Sequence, residues 1–89
     1  MAAFLVEILV RPRPGVMDPQ AEAIGESLTS LGYRGVAVEW VGRQLTMTLE
    51  APDASEARQT AEEMCDRILV NPNLEAYSMQ VTSAGNGSG

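Results

Sequence analysis

Along this chain, stretches whose hydrophobic residues recur with the two-residue period of a strand are interspersed with stretches that have the period of a helix. Apolar side chains occupy every second position from Phe4 to Val10, which predicts a strand over 4–11 with one continuous apolar face. The other face of this segment also carries leucines, so we expect an interior strand. The Arg-Pro-Arg-Pro-Gly run at 11–15 ends it, because proline has no N–H to give to a strand ladder.

Residues 18–32 have the spacing of an amphipathic helix. Asp18 suits the N-cap, Pro19 suits the first helical position, and Gly32 suits the position just past the end. Gly25 stands in the middle of the helix, where we expect it to mark the close approach of another backbone. The predicted apolar stripe consists of Ala21, Ile24, Leu28 and Leu31.

The stretch from Val36 to Leu49 carries two strand patterns back to back. Apolar residues fall on even numbers before Gly42 and on odd numbers after it. A change of parity at a residue with a permissive backbone is typical of a tight reversal. The pattern therefore predicts a hairpin of two strands that turns at residues 41–44.

A second helix and a last strand complete the predicted elements. Asp53 and Glu56 have the spacing of a capping box, and Asn71-Pro72 ends the helix. Its predicted stripe is Ala57, Ala61, Met64 and Ile68, widened by Cys65 and Leu69. The last strand is predicted over 74–82, and residues 83–89, rich in Gly, Ser and Asn, are expected to form a flexible tail outside a single 1–82 domain.

The order βαββαβ predicts an α+β two-layer sandwich of ferredoxin-like plan. Right-handed crossovers would place both helices on one face of an antiparallel sheet. The opposite face is then left uncovered by this chain, and its mixture of leucines and polar side chains is typical of a protein interface. The side chains expected on that face are Leu5, Glu7, Leu9, Ala37, Glu39, Val41, Thr46, Thr48, Ser78 and Gln80.

Charge and size narrow the range of partners. The net charge of -6 and the pI near 4.4 argue against nucleic acid and anionic membranes, which attract clusters of basic residues. A chain of 89 residues buries little apolar surface alone, so we expect further burial against copies of itself or a partner. A single cysteine, and no apolar run of membrane-spanning length, lead us to expect a cytoplasmic protein.

The chain has little catalytic equipment. It contains no histidine, and its one cysteine, Cys65, is best explained as a small apolar core residue. Basic side chains meet a helix N-terminus only in the Arg11–Asp18 connection, where an anion could bind but where Asp18 already fills the cap. A rigid connection or a subunit contact explains this segment better. A phosphatase-like enzyme that uses Arg11 and Arg13 is a further hypothesis, although no residue is placed to orient a water.

Five short segments, taken in order and with their spacing, resemble the PurS family. The likeness spans residues 4–81. The segments are Gly15-Val16-Met17-Asp18-Pro19-Gln20, Leu28-x-x-Leu31-Gly32-Tyr33, Val41-Gly42-Arg43 with the alternation to Leu49, Cys65-x-x-Ile68-Leu69-x-Asn71-Pro72, and Glu75-x-Tyr77.

This resemblance implies the small subunit of phosphoribosylformylglycinamidine synthase, also called formylglycinamide ribonucleotide amidotransferase, in purine biosynthesis. It implies a non-catalytic adaptor that pairs with itself, as a dimer or a dimer of dimers, and joins a glutaminase subunit to a large ATP-dependent synthetase subunit. ATP and magnesium are then expected on the large subunit and no cofactor on this chain. The alternative is a regulatory domain of the same βαββαβ plan that binds an amino acid between paired copies.

Four regions are the expected contact surfaces of such an adaptor. They are the open sheet face, the connection before the first helix, the predicted hairpin turn and the segment before the last strand. The residues chosen from them are Leu5, Leu9, Arg11, Arg13, Asp18, Val41, Gly42, Arg43, Asn71 and Tyr77.

Overall fold

The computed structural model of the chain describes residues 1–84. Three strands form one antiparallel sheet, and the order across it is second, first, third. The elements are β1 (Ala2–Pro12), α1 (Pro19–Ser30), β2 (Arg43–Ala51), α2 (Ala54–Met64), a π-helical turn (Cys65–Leu69) and β3 (Glu75–Ser83). An α+β fold with an antiparallel sheet was predicted and is confirmed.

The core lies between the sheet and α2. As predicted, β1 is the interior strand, and its side chains at even positions from Phe4 to Val10 are buried. Register places Val6 opposite Met47 on one side and Val81 on the other, so the apolar faces of all three strands point to the same layer. Ala57, Ala61 and Cys65 cover this layer from the helix side.

The helix over this core begins as predicted and ends differently. The Asp53 carboxylate accepts the Glu56 backbone N–H at 2.8 Å, which caps α2. At the other end, the Val70 N–H bonds to the Cys65 carbonyl oxygen at 3.1 Å, which closes a wide π-helical turn. That turn changes the angular spacing of the side chains, and Ile68 is left 80% exposed. Its predicted place in the apolar stripe is therefore wrong.

The predicted hairpin is also wrong. No residue between Tyr33 and Gly42 belongs to a strand, so the chain has no second strand before β2 and the order is βαβαβ. Two contacts explain why the chain does not turn back. The Val41 N–H donates to the Asp18 carboxylate at 2.9 Å, and Gly42 packs so close to β1 that a Cβ there would lie 2.5 Å from the Val10 carbonyl oxygen.

The first helix forms as predicted but does not cover the sheet. Asp18 caps it by accepting the Ala21 N–H at 3.1 Å, and Gly32, at φ 98°, ends it. No residue of α1 comes within 8 Å (Cα to Cα) of another helix or strand in the described part of the chain. A Cβ on Gly25 would meet nothing within 4 Å, so the expected close backbone is absent from the described residues.

The molecule is therefore elongated rather than compact. Its Cα radius of gyration is 17.2 Å, whereas a compact domain of this length has about 12 Å. Its principal extents are 53 × 32 × 15 Å, and the smallest is the thickness of one helix on one sheet. Of the two helices expected on one face of the sheet, only α2 packs there.

The C-terminal strand runs one residue beyond its predicted end. Ser83 belongs to β3, and the Ala84 N–H donates to the Ala3 carbonyl oxygen at 3.0 Å. The rest of the predicted tail, 85–89, lies outside the described residues. Within residues 1–84, no helix is long and apolar enough to cross a membrane.

Candidate subunit interface

Within residues 1–84, no helix covers the sheet face opposite α2, as the sequence predicted. Antiparallel register sets Leu9 between Gln44 and Ser78, and Glu7 between Thr46 and Gln80. Polar side chains thus surround a central row on β1, where Leu9 is 36% exposed. The central part of this face, called the open face below, carries Leu5, Glu7, Leu9, Gln44, Thr46, Thr48, Ser78, Gln80 and Thr82.

Three residues expected on the open face are not part of it. Ala37, Glu39 and Val41 precede β2 in a segment that forms no strand, so they cannot share the alternation of the sheet. The face is consequently narrower and more polar than predicted. Leu5 and Leu9 are its apolar members, which makes them the best candidates for desolvated contacts there.

A second surface forms where the segment after α1 returns to the sheet. Asp18 bonds to two places at once: Oδ1 accepts the Ala21 N–H at 3.1 Å and Oδ2 accepts the Val41 N–H at 2.9 Å. These backbone bonds, first that from Val41, hold the pKa of the Asp18 carboxyl below its ordinary value. The surrounding cavity, about 300 Å³ in volume, is lined by five of the predicted contact residues: Arg11, Asp18, Val41, Gly42 and Arg43.

The two arginines of the connection before α1 are both engaged within the chain. The Arg11 guanidinium carbon lies 5.9 Å from the centre of the Trp40 ring, at the distance of a cation–π contact. Arg13 Nε donates to the Pro72 carbonyl oxygen at 2.7 Å, and the Arg13 N–H donates to the Leu74 carbonyl oxygen at 2.9 Å. Their contacts secure the end of β1, which supports the rigid connection more than the phosphatase-like reading.

Arg43 joins three parts of the fold at the start of β2. Its Nη2 donates to the Leu69 carbonyl oxygen at 2.8 Å and to Glu75 Oε1 at 3.4 Å. Glu75 Oε1 also accepts the Asn71 N–H at 2.9 Å. The predicted turn and the predicted segment around Asn71 are thus brought together. The sequence pattern did not show that Glu75 links them, because the two residues it joins are far apart along the chain.

Tyr77 lies on the α2 side of the sheet and does not share a surface with Leu5 and Leu9. It pairs with Val10 across the β1–β3 ladder and packs, half-buried, against the core that contains Cys65. Burial raises the pKa of the Tyr77 hydroxyl and also that of the Cys65 thiol, so both groups are neutral near pH 7. The core position expected for Cys65 is confirmed.

The polar groups at these surfaces make hydrogen bonds within the chain. Within residues 1–84, no three His, Cys, Asp or Glu side chains are grouped as a metal site. The fold is that of a small α+β protein with an open sheet face and with a helix, α1, that packs against no other helix or strand within residues 1–84. The sequence model of the PurS family, described as phosphoribosylformylglycinamidine (FGAM) synthase, matches residues 5–83. The chain belongs to the PurS family.

Individual relatives agree in sequence and in structure. The phosphoribosylformylglycinamidine synthase subunit PurS of Synechocystis is 41% identical over 81 residues, which are 91% of this chain and 81% of the relative. The Bacillus subtilis PurS structure has a TM-score of 0.81 at 29% identity and covers 90% of this chain and 99% of its own. A chain in the structure of PurLQS from Thermotoga maritima has a TM-score of 0.82 at 28% identity. The match covers 91% of this chain and 99% of that chain.

Proposed function

We propose that this chain is the PurS subunit of FGAM synthase in purine biosynthesis and that it acts as a non-catalytic adaptor. The observation that supports this most is the family match over residues 5–83, together with the likeness to a chain in the structure of PurLQS from Thermotoga maritima. By this proposal the chain joins a glutaminase subunit and a large ATP-dependent synthetase subunit in the cytoplasm. ATP, magnesium and the nucleotide substrate bind to the large subunit.

In this proposal, the adaptor contributes by holding two active sites next to each other. Glutamine hydrolysis releases ammonia at one site, and amidation consumes it at another. Holding the two sites in a fixed relation turns an encounter through solvent into a transfer between neighbours, which is the advantage of proximity. No histidine is required for this role, and the acidic chain needs only surfaces that other subunits recognise.

Two surfaces suit these contacts. The open face offers Leu5 and Leu9 within a polar border, which is the composition of a specific, non-obligate interface. The cavity around Asp18 and Arg43 lies at the end of β1, where the chain is stiffened by the bonds described above. We assign the open face to another subunit of the complex and propose that the chain also associates with a second copy of itself.

Reconstitution tests this proposal. The glutaminase and synthetase subunits are mixed with and without the chain, and complex formation is followed by sedimentation velocity. We expect a three-component complex only with the chain present. Leu9→Arg on the open face is expected to weaken its incorporation at least about tenfold, whereas Gln59→Arg on α2 is the matched control and should behave as wild type.

Each outcome of that experiment has a separate meaning. Absence of any complex with the wild-type chain would contradict the subunit role. A complex that forms equally well with Leu9→Arg, with circular dichroism showing that the variant is folded, would move the contact away from the open face and leave the subunit role standing.

A further inference from the structure

Two cavities adjoin each other at the end of the sheet where β1 finishes and β2 begins. The cavity around Asp18 has a volume of about 300 Å³, and its neighbour has a volume of about 360 Å³. Both are lined by Arg11, Pro12, Val16 and Asp18. Because they share these residues, the two cavities form one continuous depression, which is called the arginine end below.

The basic residues of this acidic chain are concentrated at the arginine end. Three of the six basic residues line it, together with three of the twelve acidic residues: Arg11, Arg13, Arg43, Asp18, Glu39 and Glu75. The other three basic and nine acidic residues therefore carry the whole formal net charge of -6. Because the remainder of the molecule repels anionic groups, an acidic partner is guided to this end.

Two of these arginines are available to a partner. Arg43 is paired with Glu75, whereas Arg11 and Arg13 form no ion pair with a carboxylate within residues 1–84. Arg13 binds a backbone carbonyl oxygen through Nε at 2.7 Å, which leaves both of its Nη groups for other acceptors. A guanidinium suits a carboxylate well, because two parallel N–H groups match the two carboxylate oxygens.

The acidic residues of the arginine end do not oppose such a contact strongly. Both oxygens of Asp18 accept backbone N–H groups, and Glu75 accepts from Arg43 and from the Asn71 N–H. These bonds compensate the two charges within the chain. Glu39 is exposed, so solvent and salt screen its charge.

An apolar recess lies beside the arginines. Met17 is 70% and Leu74 is 49% exposed, and both line the first cavity together with the buried Val10. Leu74 is held in place, because its carbonyl oxygen accepts the Arg13 N–H at 2.9 Å and its own N–H donates to the Asn71 carbonyl oxygen at 3.1 Å. A small anion would leave this recess empty. A protein segment can fill it with an apolar side chain and place carboxylates on the arginines, at little cost in ordering.

We propose that the arginine end binds an acidic segment of a partner subunit. An apolar side chain of that segment lies between Met17 and Leu74, and its carboxylates bind Arg11 and Arg13. The arginine end shares no residue with the open face, so an adaptor can use the two surfaces for separate contacts. The inference rests on the proposed adaptor role and adds the chemistry of one of its contacts.

Photo-crosslinking in the reconstituted complex tests which segment occupies the arginine end. A photoreactive amino acid replaces Met17 in the full chain, and mass spectrometry identifies the cross-linked peptide. We expect a peptide of the glutaminase or the synthetase subunit in which acidic residues outnumber basic ones. The same amino acid in place of Gln59, on the exposed side of α2, is the matched control and should give no cross-link to that peptide.

Charge reversal measures the contribution of the arginines. Arg11→Glu is expected to weaken binding of the chain to the other two subunits at least about tenfold, because it sets like charges against each other. Arg67→Glu changes the net charge equally at an exposed position outside the arginine end and should bind as wild type. Sedimentation velocity measures both, and added salt should weaken the wild-type contact more than that of Arg11→Glu.

A second variant keeps the test independent of the fold of the first. Met17→Asp places a negative charge on the exposed rim of the recess, where it disturbs no buried contact. It should weaken binding at least about tenfold as well, because it repels the carboxylates of the partner and removes the apolar contact. Circular dichroism checks that each variant is folded.

The outcomes separate this inference from the adaptor role. A cross-link from position 17 to a basic or uncharged peptide, or to a second copy of this chain, would overturn the inference. Equal binding by Arg11→Glu, Met17→Asp and Arg67→Glu would also overturn it, as would a complex that gives no cross-link from position 17. Failure of the wild-type chain to enter any complex would contradict the adaptor role itself and this inference with it.

Discussion

Asp18 uses its two carboxylate oxygens for two distant parts of the chain. The contact with Ala21 caps α1 and could be predicted from the Asp-Pro pair, since the N-cap role depends on local sequence alone. The contact with Val41 spans 23 residues and could not be predicted, because nothing local indicates which N–H a free oxygen will meet. The sequence therefore predicted one of the two contacts of Asp18 and not the other.

We expect Asp18 to titrate below 3.8, the ordinary value for aspartate, because both backbone bonds favour its charged form. A lowered pKa in the folded chain means that this stabilisation is complete above the ordinary range and is lost as pH falls through the folded value. The Val41 and Ala21 amide resonances should report this titration in an NMR pH series, and Asp18→Asn should abolish it. A midpoint at or above 3.8 would contradict the assignment.

Two glycines are expected to respond oppositely to alanine. A Cβ on Gly42 would lie 2.5 Å from the Val10 carbonyl oxygen and 2.9 Å from the Trp40 ring, so Gly42→Ala should lower the free energy of unfolding by about 1–3 kcal/mol. Gly25 lies in α1 with open space around it, so Gly25→Ala should raise that free energy by about 0.5–1 kcal/mol. Urea denaturation measures both, and equal effects would show that the close contact at Gly42 is absent.

At the scale of elements, α2 packs against the sheet through small side chains. Ala57, Ala61 and Cys65 have no exposed surface, so the helix backbone lies close to the sheet. The periodicity of the sequence predicted this stripe correctly as far as Cys65. It failed at Ile68 because the π-helical turn is set by the Val70–Cys65 bond, and no local pattern in the sequence indicates that choice.

Enlarging one of these small residues tests how closely the helix packs. We expect Ala61→Leu to lower the free energy of unfolding by about 1–3 kcal/mol, because the fully buried methyl leaves no room for a larger side chain. Gln59→Leu, on the exposed side of the same helix, should change it by less than about 0.5 kcal/mol. If guanidinium denaturation gave equal values, the close packing of α2 would be refuted.

The predicted hairpin shows what alternation can and cannot establish. The pattern from Val36 to Leu49 predicted two strands, and the structure bears out the second, β2, but not the first. Alternation fixes which side chains share a face but not which chain supplies the neighbouring strand.

At the scale of the whole molecule, the elongated shape agrees with a chain that is completed by others. Its extents are 53 × 32 × 15 Å. Among the described residues, one sheet face is uncovered and α1 packs against no other helix or strand. The fold class and the interior strand could be predicted from periodicity. The placement of α1 could not, because its apolar stripe predicts a partner without saying which chain provides it.

Coupling between the two active sites is the central claim, and one comparison tests it most directly. The amidation rate of the synthetase and glutaminase subunits is measured with glutamine and separately with ammonium, each with and without this chain. An adaptor that brings the two sites together should raise the glutamine-driven rate much more than the ammonium-driven rate, because only the former depends on transfer of ammonia between sites. Equal responses of the two rates, or no response of either, would contradict the adaptor role.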